Sequence, residues 1–286
     1  MKIGFIGLGI MGESMCENII KKYDDKVFVF DINKSQVEKL AGHGGIPCEN
    51  ASELATKADV IITMVPKSEH SKAVYSEILP VLDGEKLCID MSTIDPSVSV
   101  QISEMVKGMG AEFIDAPVVK SKPAAVSGTL GIYVGGSEIA FVIAKPILEC
   151  MGENIVRMGE NGKGLVMKIC HNALVSQIQN GVNETIAIAE KFGIGASEFA
   201  TAVSYGGGQN FYLDGKAGAI ANGNFATAFS VENMAKDVNI CVNLAAECGV
   251  FAPGVANSKD VYDRALADGI GGEDFSATIK TVRKGK

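Results

Sequence analysis

Six residues near the start of the chain, Gly7-Leu8-Gly9-Ile10-Met11-Gly12, have the types and spacing to hold a diphosphate. In such a GxGxxG turn Gly7 permits the tight bend, Gly9 lets backbone approach the pyrophosphate, and Gly12 lets helix and strand pack closely. The N-terminus of the following helix then offers N–H groups to the phosphate charge. The glycine pattern alone is weak, and its context strengthens it: an apolar run (2–8) precedes it and residues 13–22 read as the helix it opens. Asp31 ends the next apolar run, roughly 20 residues on, where a carboxylate accepts hydrogen bonds from ribose hydroxyls. A carboxylate there repels a 2′-phosphate, and no Arg follows it, with Lys34 the nearest cation. The expected cofactor is therefore NAD rather than NADP. Taken alone, Asp31 also reads as a cap for a helix over 34–41, and the two roles can coexist.

The elements that must position these residues are legible as alternation. Short runs rich in Ile, Val and Phe occur at 2–8, 26–31, 59–65, 86–92, 112–118 and 129–136, each flanked by Gly, Pro, Asp or Asn. Between them lie stretches with helical spacing, such as Val98, Ile102, Met105 and Val106. Strands alternating with helices predict an α/β, Rossmann-type, doubly wound parallel sheet. After residue 160 the pattern changes. One long helix is predicted from near Gly162 to Gly193, with apolar positions at 165, 169, 174, 178, 182, 186 and 189. Further helices are expected over 196–205, 211–221, 232–249, 253–267 and 274–282, with no strand. The domains are thus placed at 1–160 (dinucleotide-binding) and 161–286 (all-α, for substrate and oligomerisation). A helix so long and apolar implies burial between domains or subunits, hence a homodimer or homotetramer.

Composition narrows the function classes. The 286 residues carry a formal net charge of -8 without a Lys/Arg cluster, which argues against nucleic acid as a partner. Seven scattered cysteines without a CxxC pair fit reduced thiols in a cytoplasmic protein. Three histidines and no HExxH arrangement argue against a catalytic metal. No signal-peptide pattern and no uninterrupted 18-residue apolar span is seen, so neither secretion nor a membrane partner is expected.

Five ordered segments carry a family resemblance: GFIGLGIMG, TMVP (63–66), DMSTIDP (90–96), GKGLVMKICHN (162–172) and MAKDVNI (234–240). Together they resemble the β-hydroxyacid dehydrogenase family, which includes 3-hydroxyisobutyrate dehydrogenase and tartronate semialdehyde reductase, over essentially the whole chain. The resemblance implies that Val65 and Pro66 line the adenosine side and that Thr93 lies near the nicotinamide ribose. It implies that Lys168 is the catalytic lysine with Asn172 its companion. It also implies that Lys236 closes over the nicotinamide with Asp237 steadying it, although a lysine in an apolar helix ordinarily reaches solvent. The chemistry supports Lys168 separately. Reducing an aldehyde requires protonation of the developing oxyanion, and an ammonium withdrawn from water both donates and regains its proton readily. Asn172 lies four residues on, on the same helix face, and adds a hydrogen bond without charge. Gly162 and Gly164 leave room for close approach to the backbone.

One segment departs from the family. Its substrate loop usually reads DAPVSGG, and here Val119, Lys120 and Ser121 replace the last three residues. A cation at 120 is a sensible replacement for an amide nest if the substrate carries a fuller or differently shaped anionic group, making Lys120 with Ser121 the candidate anion grip. The 3-sulfolactaldehyde reductases are similar here, with a basic residue at this position, so a sulfonate semialdehyde is the alternative substrate. An outward-pointing Lys120 is the bland alternative. His171, three residues beyond Lys168, reads either as an anion contact or as a packed core histidine. The expected activity is interconversion of a small anionic 3-hydroxy acid with its semialdehyde. A non-catalytic dinucleotide-binding scaffold is the rival from another class, and Lys168 speaks against it, as it does against an imine reductase on this fold.

Overall fold

In the computed structural model, which describes residues 1–285, the alternating runs form β1 (Ile3–Ile6), β2 (Val27–Phe30), β3 (Ile46–Pro47), β4 (Val60–Thr63), β5 (Leu87–Asp90), β6 (Glu112–Asp115), β7 (Val118–Val119), β8 (Leu130–Gly135) and β9 (Gly152–Gly159). The intervening helices are α1 (Gly12–Lys22), α2 (Lys34–Gly42), α3 (Ala51–Lys57), α4 (Ser68–Ile78), α5 (Pro96–Gly108), α6 (Lys122–Ser127) and α7 (Glu138–Leu148). Strands β3-β2-β1-β4-β5-β6 lie side by side and all parallel. This is the doubly wound sheet expected. Its margin is mixed: β8 runs antiparallel to β6 and β7, and β9 pairs with β8 in parallel.

Strands β1, β4 and β5 are buried throughout, so they read as continuous apolar runs rather than alternating ones. Their residues nevertheless divide by parity between two cores. Ile3, Phe5, Val60 and Ile62 pack with Met15 and Ile19 of α1, whereas Ile6 and Ile61 pack with Leu54, Tyr75 and Ile78 of α3 and α4. Burying both faces in this way is what a helix layer on each side achieves.

Beyond β9 come α8 (Lys163–Lys191), α9 (Ala196–Val203), α10 (Phe211–Asn222), α11 (Val231–Glu247), α12 (Pro253–Ala267) and α13 (Thr278–Lys284). Boundaries follow local chemistry. Asn210 and Ser230 cap α10 and α11 through their side chains. Gly193 and Gly223, both at positive φ, follow the ends of α8 and α10. The predicted helix over 274–282 resolves into a 3-10 turn (Phe275–Ala277) followed by α13. Strands β3, β7 and β9 were not expected from the sequence. By backbone packing the chain divides into Met1–Lys168 and Ile169–Lys286. The division falls inside α8, because Leu165 belongs to a core of the sheet unit and Ile169 to the core of the helical one.

The α8 stripe is less apolar than its spacing implied. Leu165, Ile169, Val182 and Ile186 are buried, but Leu174 is exposed, and Ser176, Gln179, Asn180 and Asn183 are buried beside them. These amides are used. Gln179 donates to the Phe275 carbonyl at 2.6 Å, Asn183 to Thr278 Oγ1 at 3.1 Å and Asn180 to Ser258 Oγ at 3.1 Å. They tie α8 to α12 and α13. Among the described residues no helix is long and apolar enough to cross a membrane.

Two of the loop glycines differ in what a methyl group would meet. A Cβ at Gly12 would lie 2.0 Å from the Gly7 carbonyl oxygen, whereas one at Gly9 would meet nothing within 4 Å. Gly12→Ala should therefore lower stability by about 1–3 kcal/mol in urea denaturation. Gly9→Ala should unfold like the wild type and show its defect only as weaker dinucleotide binding in calorimetry.

Candidate functional site

The carboxyl ends of the parallel strands carry the glycine turn, Asp31, Val65, Pro66 and Thr93, residues expected from the sequence to meet the cofactor. Gly7 follows β1 at φ +97°, and a side chain there would strike the Met64 carbonyl at 2.2 Å. Leu8 is buried, Gly9 and Ile10 are exposed, and Met11 provides no side-chain cap to α1. An open space beside Gly9 next to an uncapped helix N-terminus fits a diphosphate. Asp31 is fixed to this turn: its Oδ2 accepts the Leu8 N–H at 2.6 Å and its Oδ1 the Asn33 N–H at 2.7 Å. Capping of α2 falls instead to Asn33, whose side chain accepts the Ser35 N–H at 3.1 Å. Val65 lies beside Gly7 and donates its N–H to Ser92 Oγ at 2.9 Å. Pro66 is exposed and Thr93 half-buried, each following a strand end.

Beneath this turn lies a buried polar group that the sequence reading did not single out. Asp90, at the end of β5, accepts the Ser92 N–H at 3.0 Å and the Thr63 hydroxyl at 2.9 Å. Thr63 in turn meets the Tyr75 hydroxyl at 3.1 Å. Burial pushes the Asp90 carboxyl above its usual range, although its hydrogen bonds with Ser92 and Thr63 pull the other way. Asp90 thus sets the loop that presents Ser92 and Thr93.

The departing loop begins at a second buried carboxylate, Asp115, at the end of β6. Val119 lies in β7 against Gly131 of β8, where it packs rather than presenting a polar group. Lys120 takes φ +76°, a left-handed conformation held here by a residue with a side chain. The lysine is exposed, and its ammonium donates to the Thr129 carbonyl at 2.6 Å. Ser121 stands at the N-cap position of α6, half-buried, and makes no capping hydrogen bond.

Lys168 lies in the second turn of α8 and is 7% exposed. Burial to this extent is unusual for lysine and distinguishes it from the snorkelling side chain expected on an ordinary helix. In the helical unit, Asn172 donates its amide N–H to Asp237 Oδ2 at 2.6 Å, and both residues are buried. Lys236 Nζ stands 3.3 Å from Asp237 Oδ1 and is partly exposed. That oxygen accepts no hydrogen bond of good geometry among the described residues. His171 is half-buried. Among the described residues no group of three or more His, Cys, Asp or Glu side chains is placed to hold a metal ion.

Two residues with structural weight, Asp90 and Asp115, were passed over in the sequence. Each is a charge that directly follows the apolar residues of its strand (Leu87-Cys88-Ile89 and Phe113-Ile114), and that position is the signal.

Residues 2–159 match the family described as the NAD binding domain of 6-phosphogluconate dehydrogenase. Residues 162–282 match the family described as NAD-binding of NADP-dependent 3-hydroxyisobutyrate dehydrogenase. The chain is 34% identical to the mitochondrial 3-hydroxyisobutyrate dehydrogenase of Drosophila melanogaster, covering 99% of this chain and 90% of that protein. It is 30% identical to glyoxylate/succinic semialdehyde reductase 1 of Arabidopsis thaliana, with 99% of each covered. Among solved structures, 3-hydroxyisobutyrate dehydrogenase of Mycobacterium tuberculosis with L-serine superposes with a TM-score of 0.91 at 30% identity, over 99% of both chains. Matches of this extent, along a chain whose strand ends fit a dinucleotide, make it a member of the β-hydroxyacid dehydrogenase family and an oxidoreductase.

Proposed function

We propose that this oxidoreductase interconverts a small 3-hydroxy acid and its semialdehyde with NAD(H), using Lys168 as the acid/base. The observation that carries the proposal is the burial of the Lys168 ammonium in α8, one turn before Asn172. When bound, the nicotinamide supplies or accepts a hydride. The chain's own task is to manage the proton and charge on the substrate oxygen. Lys168 Nζ donates the proton as the aldehyde oxygen becomes an alkoxide and takes it back in the reverse direction. Asn172, held by Asp237, orients the substrate. Asp31 supports NAD over NADP, since its carboxylate is fixed where a 2′-phosphate would be repelled. Val65, Pro66, Thr93 and Lys236 are assigned to the cofactor, and Val119, Lys120, Ser121, His171 and Asp237 to the substrate side.

The substrate class rests on the relatives' names, which specify 3-hydroxyisobutyrate and glyoxylate or succinic semialdehyde. Each of these carries a carboxylate. Lys120 remains the candidate grip for that anion: one ammonium proton is given to the Thr129 carbonyl, and an ammonium has three. The chain is also proposed to self-associate through the outward face of α8. Leu174, Gly181 and Ile188 are exposed there at seven-residue spacing, with Phe192 just beyond.

Three measurements test these assignments. Lys168→Ala should lower kcat about 10²- to 10⁴-fold, and full-rate aldehyde reduction by that variant would refute the mechanism. Semialdehydes bearing carboxylate, sulfonate or phosphate, assayed with NADH and NADPH, should show carboxylate and NADH preferred. Anion preference retained after Lys120→Ala would remove that lysine from the grip. Light scattering should give a dimer or tetramer that Leu174→Glu with Ile188→Glu dissociates.

A further inference from the structure

Asp115 is completely buried at the carboxyl end of β6. Its Oδ1 accepts the Gly162 N–H at 2.6 Å and its Oδ2 the Leu165 N–H at 2.9 Å. These amides belong to the entry and first turn of α8, so a strand residue caps the helix that carries Lys168. The carboxylate occupies a slot that two glycines keep open. A Cβ at Gly135, its register partner in β8, would lie 2.4 Å from Asp115 Oδ1, and one at Gly164 would lie 2.8 Å from Oδ2. A second tie lies alongside: the Asn161 amide donates to the Phe113 carbonyl at 2.8 Å and to the Gly135 carbonyl at 3.3 Å. Gly162 enters the helix at φ +88°, which allows the turn to present its N–H inward.

The residue after Asp115 begins the loop that leads through Val119, Lys120 and Ser121 into α6. One carboxylate therefore holds both the root of the loop assigned to the substrate and the first turn of the helix assigned to catalysis. We infer that Asp115 is a positioning residue that fixes the placement of Lys168 relative to the substrate loop. This inference rests on the proposed role of Lys168. A purely stabilising role fits poorly, because burial pushes this carboxyl up to about 6, so that its ionised form opposes folding at neutral pH. Asp90, its register neighbour in β5, adds to that rise by repulsion, while the two amide hydrogen bonds oppose it. A neutral, well-packed residue would serve stability at least as well.

The test is Asp115→Asn, which keeps the shape but leaves one acceptor oxygen for two N–H groups. Hydrogen exchange of the segment 160–168 should speed up at least tenfold, with the segments of β1 and β4 unchanged. In steady-state assays kcat should fall about 10- to 100-fold while KM for NADH stays within twofold. Where Asp115→Asn does not fold, Asn161→Ala cuts the second tie and should show the same local exchange increase with a smaller loss in kcat. Unchanged exchange over 160–168, or an unchanged kcat beside faster exchange, overturns the inference. Full activity in Lys168→Ala would instead overturn the functional reading, and the exchange data distinguish the two failures.

Discussion

Three aspartates that close three parallel strands hold the loops at the strand ends by a single device, a carboxylate accepting backbone N–H groups. Asp31 after β2 takes the amides of Leu8 and Asn33, Asp90 at the end of β5 takes that of Ser92, and Asp115 at the end of β6 takes those of Gly162 and Leu165. Loops at the carboxyl edge of a doubly wound sheet carry the binding residues, yet their backbone amides lack ladder partners. Charge-assisted acceptance satisfies those amides and fixes loop position at once. The glycine turn is thus placed from two sides, by Asp31 on Leu8 and by the close approach of Gly7 to the Met64 carbonyl.

The device carries an energetic penalty where it is buried. For Asp115 the folded carboxyl titrates near 6 against 3.8 for the unreacted group, so the folded chain binds that proton more tightly than the unfolded one. Stability from this group is then greatest below the unfolded value and falls as pH rises from about 4 through about 6, by on the order of 3 kcal/mol. Asp90 shifts in the same direction for the same reason. Asp274 in the helical unit shows the contrast. Lys216 Nζ lies 2.8 Å from its Oδ1, and together with Ser276 holds the carboxyl below its usual range despite burial. Asp274 is paired with a cation, whereas Asp90 and Asp115 accept from backbone N–H groups and, at Asp90, from the Thr63 hydroxyl.

Much of this was legible in the sequence because it is written locally. The glycine turn, Asp31 and the helical period of α8 depend on residues close in the chain. What escaped is long-range. β9 pairs only with β8 and leaves Glu153 and Asn154 exposed, so its pattern lacks the alternation that marks a half-buried strand. β7 is two residues long and exists because β8 returns antiparallel beside it. The left-handed turn at Lys120 could not be read from a residue type that ordinarily avoids it. Asp115 was visible only as an Asp closing an apolar run; its partners lie 47 and 50 residues away.

The long helix explains why these remote anchors matter. Lys168 and Asn172 are four residues apart on one continuous α8, so helical geometry sets their separation to one turn. A rigid spacing fixes the pair relative to each other and to nothing else. Each end therefore has its own external reference. The first turn is held to β6 through Asp115, and Asn172 is held to α11 through Asp237. The small amide-rich stripe farther along, Gln179, Asn180 and Asn183, performs the same service toward α12 and α13. Polar residues on the buried face of α8 thus also set its position, since hydrogen bonds are directional in a way that apolar contacts are not.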